Sequence, residues 1–183
     1  MRVGRTFIFS DLSGFTNYIE RYGDGAGTQL LSQFRAIARA VGSHVGVRID
    51  KYLGDGLMAV AVEQRDGIVF ALELQRYAAS VCQPLQLRIG IATGETMLFE
   101  GQDYIGTAPN LASRLCDAAD ESGVLIPREQ IIDLPAGVEA LPHPPVQLRG
   151  FNEPIDVFTL SGEPTLEDGA DIDEYWNRKP YVG

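Results

Sequence analysis

A glycine-flanked turn inside an apolar β pattern constrains this chain more than anything else in it. Val45, Val47, Ile49 and Leu53 share one face of a run that ends at Gly54-Asp55-Gly56, and Leu57 to Val62 returns as a second strand. This is a hairpin pattern. Another strand-like segment, Thr6 to Asp11, carries Phe7, Ile8 and Phe9 in succession, so it presents apolar groups on both faces and is expected to be buried on both. It too stops at an aspartate, in Asp11-Leu12-Ser13-Gly14. One Asp beside Gly is ordinary turn chemistry. Two of them, each closing a strong apolar strand, can hold hard cations such as Mg²⁺ if the strands are neighbours. That arrangement is the core of a two-metal phosphoryl-transfer site.

Helical spacing follows the first strand. Gly14 to Tyr22 reads as a short helix, and from about Ala26 to Ser43 the residues Leu30, Phe34, Ile37 and Val41 recur at helical intervals, with Arg35 and Arg39 on the other face. Ile68, Val69 and Leu72 begin a second long helix that should end before Pro84. Leu85, Leu87, Ile89, Ile91 and Thr93 alternate with Gln86, Arg88 and Gly90 as a half-buried strand. A third helix starts near Thr107, with Pro109 in its first turn. Val124 to Ile126 is a short strand, and Val146 to Arg149, Gly150 to Asn152 and Ile155 to Leu160 form a terminal hairpin. This order predicts an α+β fold, a ferredoxin-like βαββαβ sandwich with a small C-terminal β extension. Its helices are expected on one sheet face, with a partner subunit covering the other.

The chain has 183 residues, 45% hydrophobic, which suits one core. Residues 1–160 are expected to form the domain, and 161–183 an acidic tail, with Glu163, Glu167, Asp168, Asp171, Asp173 and Glu174 against Arg178 and Lys179. The tail's Tyr175–Tyr181 cluster is a candidate for docking back on the domain in a regulatory role. A formal charge of −10 opposes nucleic-acid binding, which needs a basic face. No apolar run is long enough to span a bilayer, and the start lacks a signal-peptide pattern. Cys82 and Cys116 have no metal-like spacing and read as reduced buried thiols, so a cytoplasmic location is expected.

Several polar residues carry two readings each. Strand parity puts Lys51 on the side of Val47 and Ile49, where it either snorkels to water or donates to a ligand. Asn110 and Arg114 are four apart on the third helix, so they share one face, as a solvated stripe or as a clamp on phosphate. Asp103 precedes that helix and is a turn acid or a ligand group. Arg149, near a strand end, is a surface cation or a phosphate contact.

Four ordered blocks together resemble the catalytic domain of class III nucleotidyl cyclases, of the adenylate cyclase type. They are Phe9 to Thr16, Lys51 to Ala59, Gly106 to Leu115 and Leu148-Arg149-Gly150. The resemblance implies that Asp11 and Asp55, with the Leu12 carbonyl, hold two divalent cations, Mg²⁺ or Mn²⁺, which activate the ribose 3′-hydroxyl and stabilise charge at the α-phosphate. Asn110 would orient the ribose, Arg114 would bind developing phosphate charge, and Arg149 would contact the terminal phosphates. The backbone amides of Ser13 to Phe15 would favour the triphosphate. Lys51 and Asp103 would read the base: Lys donates to adenine N1 and Asp accepts from the 6-amino group, which favours ATP over GTP. The resemblance also implies a head-to-tail homodimer with shared sites, one chain giving the metal aspartates and the other Lys51, Asp103, Asn110 and Arg114. Two departures stand out: the stretch from Gly94 to Asp103 is short where the family has a longer arm, and Pro109 replaces an aliphatic residue before Asn110. The alternatives are a nucleotide-binding regulatory module without turnover, or a guanylate cyclase, which Lys51 and Asp103 oppose.

Overall fold

The computed structural model describes residues 1–101 and 103–165; residues 166–183, with most of the expected acidic tail and its Tyr175–Tyr181 cluster, lie outside the described residues. The strand with apolar groups on both faces is central. β1 (Arg2–Ser13) runs between β3 (Gly56–Ala61) and β4 (Gln86–Phe99), antiparallel to both. β2 (Arg48–Leu53) flanks β3, giving the order β2-β3-β1-β4 of a ferredoxin-like sandwich. β6 (Val124–Pro127) lies parallel to β4, and β8 (Ile155–Gly162) and β7 (Val138–Val146) extend the sheet beyond it. The fold is therefore α+β with one mixed sheet, as expected.

Phe7 and Ile8 are both fully buried, on opposite faces. After the short α1 (Phe15–Tyr22), on one face Ile8, Leu57, Ile89 and Ile91 meet Phe34, Ile37 and Val41 of α2 (Asp24–Val45) and Phe70 and Leu74 of α3 (Gln64–Val81). On the other, Phe7, Met58, Val60 and Ala92 meet Ala108, Leu111, Ala112 and Leu115 of α4 (Thr107–Ala118). The third predicted helix thus covers the face that was expected to wait for a partner. Gly90 is what allows it: a Cβ there would stand 2.2 Å from the Ala112 carbonyl oxygen and 2.3 Å from the Cys116 nitrogen, so α4 rests on bare β4 backbone.

Three boundaries differ from the sequence pattern. α2 runs through Val45 and ends at Gly46 (φ 79°), so β2 begins at Arg48 rather than Val45. β4 continues past Thr93 to Phe99 and pairs with β5 (Asp103–Ile105), making the short arm a two-stranded hairpin. The terminal hairpin is built from β7 and β8, and Arg149 sits on the turn between them. Pro142, Pro144 and Pro145 obscured β7 in the sequence; they are tolerated because β7 is an edge strand with an irregular register between His143 and Val146.

Replacing Gly90 by Ala should destabilise the protein by at least about 2 kcal/mol in urea unfolding, because the atoms it would strike belong to backbone. An unchanged midpoint would contradict the close α4–β4 contact.

Candidate active site

Asp11 pairs in register with Gly56 of β3 and with Arg88 of β4, so the two glycine-marked strand ends are neighbours. The approach is tight: a Cβ on Gly56 would lie 2.2 Å from the Ser10 carbonyl oxygen. The Leu12 amide donates to the Asp55 carbonyl at 3.2 Å, which ties the Asp55 turn to the end of β1. Burial first, then the Asp11 charge and a hydrogen bond with Asp11, push the Asp55 carboxyl up to about 6. Arg88 offsets part of this charge, donating to Asp11 Oδ2 through Nη2 at 2.7 Å and Nε at 3.1 Å. Two crowded carboxylates with surplus negative charge, at a turn with backbone oxygen at hand, suit a hard divalent cation. Among the described residues no group of three or more His, Cys, Asp and Glu forms a denser metal cluster.

Two arginines near this centre were not singled out from the sequence. Arg88 looked like one polar step in an alternating strand; the signal was a cation between the buried Leu87 and Ile89, which register places beside Asp11. Arg35 of α2 reaches back to the sheet instead of facing solvent alone. Its guanidinium lies 4.6 Å from the Tyr52 ring centroid and donates to the Gly54 carbonyl at 3.4 Å, bracing the turn that carries Asp55.

Lys51 does not follow simple parity. Ile49 faces Ala59 and Lys51 faces Met58, so one extra residue in β2 forms a bulge that turns Lys51 away from the α2 face. On the α4 face it meets the arm: Lys51 Nζ donates to Asp103 Oδ1 at 2.5 Å, and this bond holds the ammonium above its usual range. Both side chains are largely exposed, at 44% and 59%, so the pair adds little stability. It presents a donor beside an acceptor at an open surface.

Asn110, Arg114 and Arg149 converge on one cleft of about 570 Å³, lined also by Gly106, Thr107 and Phe151. Pro109 is buried in the first turn of α4, where no intrahelical donor is needed, and Asn110 remains exposed to the cleft. Arg114 has a loose partner in Asp117 at 3.6 Å. Arg149 is presented by its turn: Leu148 is buried in the α4-side core, and the Phe151 amide closes on the Leu148 carbonyl at 3.1 Å. The cleft lining includes neither Asp11, Asp55 nor Arg88. Beside it the arm exposes Met97, Phe99 and Ile105 on one side. The sequence-predicted residues thus fall into a carboxylate group, a cleft group and the Lys51–Asp103 pair.

The fold is that of a nucleotidyl cyclase catalytic domain. The family model for the adenylate and guanylate cyclase catalytic domain matches residues 4–162, and the chain belongs to this family. An uncharacterized protein of Mycobacterium tuberculosis is 32% identical over 160 residues, covering 87% of this chain and 42% of its own length. A Streptomyces coelicolor protein named adenylate cyclase is 33% identical over 118 residues, 64% of this chain and 31% of its own. The chain thus spans less than half the length of these curated relatives. Among solved structures, the adenylyl cyclase CyaB of Pseudomonas aeruginosa superposes with a TM-score of 0.73 at 24% identity, covering 93% of this chain and 98% of that one. The guanylate cyclase domain of RhGC from Catenaria anguillulae, solved with GTP, gives 0.75 at 17% identity, covering 88% and 98%. At such identities the structures show the fold. Among the described residues, no helix is long and apolar enough to cross a membrane.

The Asp55 shift has a testable sign. Its carboxyl holds a proton more tightly in the folded state, so the metal-free protein loses stability as pH rises from its ordinary value near 3.8 to about 6. If the carboxylate pair holds Mg²⁺, the ion needs the ionised form, and its stabilisation should grow through the same window, then level off. Asp55→Asn should raise the metal-free Tm at about pH 7.5 by relieving this repulsion, and should remove the Mg²⁺-dependent rise. A lower metal-free Tm in calorimetry would contradict the account.

Proposed function

We propose that this chain is the catalytic domain of an adenylate cyclase, converting ATP to 3′,5′-cyclic AMP and pyrophosphate. The observation that carries the ATP reading is the 2.5 Å contact between Lys51 and Asp103. A donor beside an acceptor matches adenine N1 and its 6-amino group, whereas guanine presents the opposite pattern at those atoms. A mismatched polar group in a closed site costs roughly 1–3 kcal/mol, enough for about tenfold discrimination or more.

Asp11 and Asp55, with the Leu12 carbonyl, would hold two divalent cations, Mg²⁺ or Mn²⁺, which when bound favour ionisation of the ribose 3′-hydroxyl and stabilise charge at the α-phosphate. Asn110 orients the ribose so that the 3′-oxygen lies in line with the α-phosphorus. Arg114 binds charge that develops on the α-phosphate, and Arg149 holds the terminal phosphates that leave as pyrophosphate. Arg88 keeps a guanidinium beside the carboxylates, where triphosphate charge collects. Catalysis on this reading is positioning and electrostatics.

Because the cleft residues and the carboxylates do not line one cavity, the reading requires two copies of the chain arranged head to tail, each completing the other's site. The exposed Met97, Phe99 and Ile105 beside the cleft are an apolar surface of the kind a second copy covers. The arm that carries them is short, so the dimer should be weak and concentration-dependent. On this reading the catalytic unit acts in the cytoplasm; the boundary expected after residue 160 moves outward, because β8 runs to Gly162 and pairs with β7, and the residues that follow would be the tail.

Product formation from ATP and from GTP, with Mg²⁺ and with Mn²⁺, should give cyclic AMP with a specific activity that rises with protein concentration. Asp11→Ala should abolish it, and Lys51→Glu should lower kcat/KM for ATP by about tenfold or more while sparing GTP. Cyclic GMP as the main product, or an ATP/GTP preference unchanged in Lys51→Glu, would sink the base assignment. Folded protein that binds ATP but makes no product would favour a regulatory module.

A further inference from the structure

The residue that β2 has in excess over β3 is Asp50, which has no partner across the ladder between Ile49 and Lys51. Its carboxylate is also buried, with a side chain only 7% exposed. Oδ1 accepts from the Arg48 guanidinium at 2.6 Å, and Oδ2 is buried without a hydrogen-bond partner. A carboxylate this enclosed is costly to bury without a partner, and the Arg48 guanidinium supplies one. The same Arg48 Nη2 donates to the Tyr104 hydroxyl at 3.0 Å, with the guanidinium carbon 5.9 Å from the Tyr104 ring centroid. Tyr104 in turn packs edge-on against the buried Phe7, 5.2 Å between centroids. Arg48 therefore joins the bulge that turns Lys51 to the arm strand that carries Asp103.

We propose that Arg48, acting through Asp50 and Tyr104, is a positioning residue for purine choice: it locks the β2 bulge against β5 so that Lys51 and Asp103 meet the base as one fixed pair. This rests on the reading of Lys51 and Asp103 as the adenine-recognising residues. Their own attraction is that of two exposed, flexible side chains and is too weak to set a geometry. Their spacing depends on the backbones beneath them, and Arg48, itself 61% exposed but anchored on the buried Asp50 carboxylate, bridges those backbones through the Tyr104 hydroxyl. It touches no substrate on this account; its effect is on the aim of residues that do.

The test compares kcat/KM and dissociation constants for ATP and GTP in the wild type, Lys51→Ala, Arg48→Ala, Arg48→Lys and Tyr104→Phe, with the Mg²⁺-induced rise in Tm as a control on the carboxylate site. Arg48→Ala should lower the ATP:GTP ratio by about three- to tenfold and keep the Mg²⁺ response. Tyr104→Phe should shift the ratio less, in the same direction. Arg48→Lys, able to neutralise Asp50, should recover part of the loss. A merely structural role would weaken both nucleotides equally and leave the ratio unmoved. The proposal is overturned if Lys51→Ala lowers the ratio while Arg48→Ala and Tyr104→Phe leave it at the wild-type value. If Lys51→Ala also leaves the ratio unmoved, the base-recognition reading itself has failed, and the proposal falls with it. Should Arg48→Ala not fold, Tyr104→Phe, which loses only a hydroxyl, decides alone.

Discussion

The contact between β1 and β3 at Gly56 is the constraint on which the rest depends. A side chain at Gly56 would run into the Ser10 carbonyl, so only glycine lets the hairpin turn close against the end of β1. That closure puts Asp55 next to Asp11, whose charge, together with burial, raises the cost of ionising the Asp55 carboxyl. The folded state therefore stores an unfavourable arrangement of charge, only partly offset by Arg88. Stability alone would not select it; on the proposed reading a divalent cation would resolve it. Burial of β1 on both faces, by Phe7 and Ile8, is what holds the arrangement together.

The second group obeys a different logic. Lys51 and Asp103 are exposed, and α4 offers Asn110 and Arg114 to an open cleft. What organises them is backbone: the bulge in β2, the continuation of β4 into the arm, and the seat of α4 on Gly90. Rigid elements carry the polar groups, as a site that works by orientation requires.

Much of this was legible in the sequence because it depends on local pattern. The central strand follows from Phe7-Ile8-Phe9, the hairpin from Gly54-Asp55-Gly56, and α4 from Leu111, Ala112 and Leu115 around Asn110 and Arg114. What was illegible depends on the third dimension. Strand parity gave Lys51 the wrong face because a bulge of one residue reverses every side chain beyond it. α4 was assigned to the same face as α2 and α3, since nothing in its periodicity says which side of the sheet it joins. Arg88 and Arg35 owe their importance to strand register and to a helix packed over Tyr52, neither of which has a signature in the chain itself. Val45 and Val47 continued a β alternation, yet Val45 closes a helix because Gly46 supplies its stop.

The central claim is that one chain carries two half-sites that only a second copy unites. Mixing Asp11→Ala with Arg114→Ala tests it most directly, since each lesion lies in a different half. Each variant alone should be inactive, and an equimolar mixture should recover about a quarter of wild-type cyclase activity, because half of the dimers would hold one intact site out of two. A mixture as inactive as its components, with both variants folded and able to associate, would contradict the account and place the whole reaction within a single chain.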